Sequence, residues 1–168
     1  MKVSRWTLAI VTIVLCLPAQ GFAQDVAQLV AAGRFDEAAE LLAAAGPDEA
    51  DAGATLIFDQ AYTGFQAQRY DYATSGFRAA GAVPEVSPRL REQIAFWNGL
   101  SLMQWAAGLA REQNLASARV TQPMFQDARA LLDASGSFPE TVAVNMANTR
   151  RALDTFIEIQ EAIIRRGY

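Results

Sequence analysis

Side chains able to do covalent or metal chemistry are scarce in this chain of 168 residues, which has no histidine and one cysteine, Cys16. Its only lysine is Lys2, and both residues fall in an N-terminal segment that reads as a leader. Beyond the leader, thiolate and imidazole metal sites, Ser-His and Cys-His nucleophilic systems, Schiff-base chemistry and disulfides are ruled out, because each needs a side chain that is missing. Carboxylates remain as general acids and bases. A glycosidase needs two of them facing each other across a cleft, and Glu92 and Glu112 are the pair to weigh. They lie 20 residues apart on what reads as one helix, about 30 Å by helical rise, too far for either glycosidase geometry. The acidic run Asp48, Glu49, Asp51 fails as a calcium loop, since Ala50 breaks the alternate-residue ligand pattern and no bidentate Glu closes it. The expectation is a protein without catalytic residues, cofactor or metal, and not an enzyme.

The leader carries the clearest compartment signal. Met1 to Arg5 holds two positive charges, Trp6 to Leu17 is a 12-residue apolar run, and Gly21-Phe22-Ala23 puts small residues at the −3 and −1 positions. This is the plan of a cleaved secretory signal peptide over residues 1–23, with cleavage before Gln24. A membrane-spanning helix needs about 20 apolar residues, and Pro18 interrupts the run first, so no transmembrane segment is expected after cleavage. Leu15 before Cys16 is too large for a lipid-attachment site. The arginine-only, alanine-rich composition beyond the leader suggests a Gram-negative bacterium, and hence a periplasmic protein. Charge is uneven: residues 24–85 hold three Arg and ten acids, residues 86–168 nine Arg and eight acids. Without a basic stripe nucleic acid is not an expected partner. The acidic half reads as a solubilising exterior, or as a surface that steers toward a basic partner.

After residue 23 the length suits one domain, and every stretch between Pro and Gly has helical period with no sustained polar–apolar alternation. The fold class expected is therefore all-α. Boundaries fall at Gly33, Gly46-Pro47, Gly81 to Pro88, Gln122-Pro123 and Gly136 to Pro139, which predicts helices beginning near 47, 88, 123 and 139. Ser87 and Ser137 offer capping oxygens, and Asp48 and Glu49 offer negative charge to a helix start. The pairs Arg150-Arg151 and Arg165-Arg166 suit late helix positions, where positive charge meets the dipole.

An internal echo orders these helices. Gly33-Arg34-Phe35-Asp36-Glu37-Ala38 returns as Gln68-Arg69-Tyr70-Asp71-Tyr72-Ala73, an offset of 35 residues that also aligns Leu42 with Phe77 and Ala45 with Ala80. Phe125, Ala128 and Leu132 repeat the spacing again, with Trp97 and Leu100 opening the unit. This pattern resembles the tetratricopeptide repeat, a helix–turn–helix unit of about 34 residues. The resemblance implies a short right-handed solenoid of antiparallel helix pairs over about 24–46, 47–82 and 88–135, closed by a long capping helix over 139–167. The third unit departs from the pattern. Trp97 and Phe125 are 28 positions apart where the family allows about 13, so about 15 extra residues must lengthen its first helix or add a short one near Leu115 to Val120.

On the last helix Val142, Met146, Leu153, Phe156, Ile157, Ile159, Ile163 and Ile164 share an arc of roughly 160°, an apolar stripe that must be covered. Its end, Phe156 to Gly167, looks like that of secreted proteobacterial repeat proteins of uncharacterised function. The family's concave groove is lined by the first helix of each pair, which implies Phe58, Tyr62 and Phe65, with Trp105 in the next unit and Asn98 and Arg69 as polar anchors. Without Lys, and with aromatics at two of its positions, the family's carboxylate clamp is not expected. Aromatics there favour an apolar or extended segment, or else are core. The resemblance implies a non-enzymatic scaffold that holds an unidentified protein or peptide. The alternative is a structural subunit packed permanently into a cell-envelope complex.

Overall fold

The computed structural model describes residues 17–136 and 140–167, with side chains described over 21–136 and 145–167. Every regular element among the described residues is helical: α1 (Leu17–Ala31), α2 (Phe35–Leu42), α3 (Pro47–Gln66), α4 (Tyr70–Ala82), α5 (Pro88–Leu109), α6 (Leu115–Ala134) and α7 (Glu140–Arg166). A single 3₁₀ turn, Ala110–Glu112, follows α5. Each helix packs on its successor, and α1 on α3, α2 on α4 and α3 on α5 also touch. No comparable contact joins α4 to α6 or α5 to α7 among the described residues.

The 35-residue echo reappears in the backbone. At the end of α1 the Gly33 N–H donates to Val30 O (3.0 Å) and the Arg34 N–H to Leu29 O (2.9 Å); at the end of α3 the Gln68 N–H donates to Phe65 O and the Arg69 N–H to Gly64 O, both 2.9 Å. These are paired Schellman closures, whose turn residue must be left-handed. Gly33 (φ +72°) adopts that conformation without a Cβ penalty, whereas Gln68 (φ +60°) adopts it against one. The aligned residues Phe35, Ala38, Leu42, Ala73, Phe77 and Ala80 are all buried, each large apolar side chain contributing about 1.5–3 kcal/mol. Gly76 completes this packing, because a Cβ there would lie 2.7 Å from the Ala61 Cβ and 3.1 Å from the Phe35 ring.

Two cores result. One runs from Val26 to Ile94 and the other from Phe96 to Leu153, and Trp97 packs against both. The second is tied together by stacking of Phe125 on Phe156, with centroids 5.0 Å apart. It is also tied by Arg129, whose Nε donates to Asp154 Oδ1 at 3.0 Å and which also pairs with Asp133. Hydrogen bonds to Asp154 and Asp133 hold the Arg129 guanidinium above its usual pKa.

Four sequence expectations need correction. No helix starts at Pro123, which is exposed inside α6. The side chain of Asn114 accepts from the Ser117 N–H (2.8 Å) and Ser117 Oγ accepts from the Asn114 N–H (3.2 Å), a capping box that starts α6 two turns earlier. Residues 115–120 are accordingly the first turns of α6 and form no separate short helix, and the extra length of the third unit is shared by the ends of α5 and α6. Ser87 stands at the N-cap of α5 but its hydroxyl makes no cap bond; its N–H donates instead to Asp51 Oδ1 at 2.7 Å, fastening the start of α5 to α3. Arg150 and Arg151 lie mid-helix, and Arg150 meets the C-terminus of α6 by donating to Leu132 O at 2.9 Å. The Ser137 cap lies outside the described residues.

Candidate functional site

Because α4 and α6 do not close on each other, a groove is left between them with α5 as its floor. Asn98, Leu102 and Trp105, spaced i, i+4, i+7 on α5, face a hollow of about 590 Å³ walled by Thr74 and Arg78 from α4 and by Asp127 and Leu131 from α6. Beyond Trp105 a second hollow of about 640 Å³ continues between Tyr70 and Asp71 on one side and Leu109 and Arg111 on the other. Trp105, 36% exposed, is the ridge shared by the two.

The position of α5 under this groove is set by one buried hydroxyl. Ser101 Oγ donates to Tyr70 O at 2.9 Å and accepts from Thr74 Oγ1 at 3.0 Å, so floor and wall are registered by hydrogen bonds to a fully buried serine. Arg78 makes a 3.7 Å ion pair with Asp36, with both side chains largely exposed, an interaction worth little that leaves the guanidinium available. Asn98 Oδ1 is buried with no hydrogen-bond partner among the described residues. An unsatisfied acceptor of this kind costs about 1–3 kcal/mol.

The six residues singled out from sequence divide into three places. Phe58, Tyr62 and Phe65 of α3 gather around Trp97: Tyr62 meets it edge-on at 4.7 Å, Phe65 at 5.2 Å, and Phe58 packs on Phe77 at 5.4 Å. All three are half-buried against the first core. Asn98 and Trp105 line the groove. Trp97 and Asn98 are successive residues of α5, so their side chains diverge by about 100° and belong to different faces. Arg69 stands apart from both, with its guanidinium 4.2 Å above the Tyr72 ring. Thr74, Arg78, Asp127 and Arg111 were not singled out. Leu102 was legible from the i+4 step after Asn98, whereas the walls come from helices whose approach no local pattern encodes.

Two of the carboxylates weighed from sequence have partners of their own. Glu112 accepts from Asn114 Nδ2 at 3.0 Å, Asp51 serves the α5 start, and among the described residues no three His, Cys, Asp or Glu side chains gather as a metal site. No helix among them is long and apolar enough to cross a membrane. Compared with known proteins, the chain matches no family model, no curated protein and no solved structure.

Proposed function

We propose that this chain is a non-enzymatic, periplasmic tetratricopeptide-like binding module, exported by its leader and cut before Gln24, that holds a peptide or protein segment in the groove over α5. The observation that carries the reading is Trp105, a large aromatic left exposed on a ridge between two hollows and flanked by Leu102 and Leu109. Residues of this type dominate binding energy at protein interfaces because they combine large contact area with a single polar group. The matched turns at Gly33 and Gln68 support the repeat reading of the first two helix pairs. In this reading Phe58, Tyr62 and Phe65 are packing residues.

A second reading, a structural subunit held permanently in an envelope complex, draws on Val120 and Ile159, apolar residues 55% and 43% exposed on α6 and α7.

The test places a photo-crosslinking amino acid in turn at positions 105, 120 and 159 in periplasmic protein and identifies adducts by mass spectrometry, alongside Trp105→Ala and Tyr62→Ala. A specific adduct is expected. Trp105→Ala should abolish partner capture with its stability kept, while Tyr62→Ala should lower the stability by about 3 kcal/mol or more. Crosslinks absent at position 105 but present at 120 or 159 would overturn the groove in favour of the structural subunit.

A further inference from the structure

We infer that the processed chain closes its own N-terminus, Gln24 cyclising to a pyroglutamyl lactam, and so carries no primary amine at all. The inference rests on cleavage before Gln24 and extends that reading to the chemistry of the new terminus. The helix α1 runs without a break through that bond, from Leu17 to Ala31. Cutting it leaves Gln24 as the first residue of an eight-residue remnant, and Val26 and Val30, both buried in the first core, anchor that remnant in place. The Gln24 side chain is exposed, so no packing holds its amide away from the terminal nitrogen.

The new terminal nitrogen, as the free amine, is the nucleophile. The amine nitrogen attacks Cδ of its own side-chain amide. An N–Cδ bond forms and the Cδ–Nε2 bond breaks. Nε2 leaves as ammonia, taking a proton from the attacking nitrogen. The step needs no oxidant, reductant or co-substrate. The product is a neutral five-membered ring at a position whose N–H has no helical acceptor to lose, and it removes a terminal positive charge from a helix start where Asp25 alone is favourable. Because the only lysine, Lys2, leaves with the leader, cyclisation removes the last amine. Residues 24–168 then present no primary amine to an aminopeptidase or an amine-seeking electrophile.

The experiment expresses the full chain in a Gram-negative host, purifies it from the periplasm, and combines intact mass with exposure to an N-hydroxysuccinimide ester. The expected result is the mass of residues 24–168 lighter by one ammonia, with no acylation, while Gln24→Ala gives the unmodified mass and takes a single acyl group. The full mass of 24–168 with one acyl group overturns the lactam and leaves the cleavage reading standing. A chain that begins at any other residue overturns the cleavage reading and the lactam with it.

Discussion

In α1–α4 the helices close on one another through glycine and alanine: Ala38, Ala61, Ala73 and Gly76 bring α2, α3 and α4 into mutual contact, and two turns repeat the same hydrogen bonds 35 residues apart. From α5 onward every helix has 20 residues or more and α6 starts from a capping box. There α6 and α7 are fastened by an aromatic stack and by Arg129 and Arg150, and α4 and α6 stay apart. The contrast shows where a groove comes from in such a chain. Small residues at fixed spacing draw α2 and α4 together, and where the spacing is stretched α4 and α6 part and expose α5 between them.

Three experiments bear on this contrast. The largest effect is expected from emptying each core in turn: Phe77→Ala and Phe125→Ala should each cost about 3–5 kcal/mol. Because Trp97 packs against both cores, each should lower one shared unfolding transition, and Trp97→Ala should split it into two. Two transitions already present in the parent chain by circular dichroism would break the idea that Trp97 joins the regions. A smaller effect probes the close contacts. Ala38→Leu and Ala73→Leu should each cost about 1–3 kcal/mol, and Ala52→Leu, on an exposed position of α3, should stay within about 0.5 kcal/mol. Equal denaturant midpoints for the three would remove the small-residue account of the first region. The smallest effect tests whether the two Schellman turns are equivalent. Gln68→Gly relieves a left-handed residue and should stabilise by about 1 kcal/mol, whereas Gly33→Ala should destabilise. Gains from both, or losses from both, would show that the turns differ.

The all-helical class and the helix starts at Pro47 and Pro88 were legible because each is local: a periodic apolar face and a proline at a first turn. The start of α6 was misread because Pro123 is the louder punctuation, while Asn114 and Ser117 form a cap without the usual Glu or Gln. Gln160 was hidden for a similar reason. It is buried on α7 and accepts from Thr121 Oγ1 at 3.3 Å, a pairing across 39 residues that periodicity counts as a surface amide. The site was half legible. Trp105 and Asn98 follow from spacing on a single helix, but the separation of α4 from α6 that opens the groove is tertiary.

The positions of Trp97 and Trp105 also make the protein its own optical gauge. Beyond Trp6 these are the only indoles of the chain. One is enclosed edge-on by Tyr62, Phe65 and Phe96, and the other stands on a ridge in contact with water. Emission from the first, which is half-buried, belongs to the blue of emission from the second and is less open to acrylamide. With Trp97→Phe and Trp105→Phe as references, a spectrum of the unlabelled protein separates events in the groove from events at the joint of the two cores.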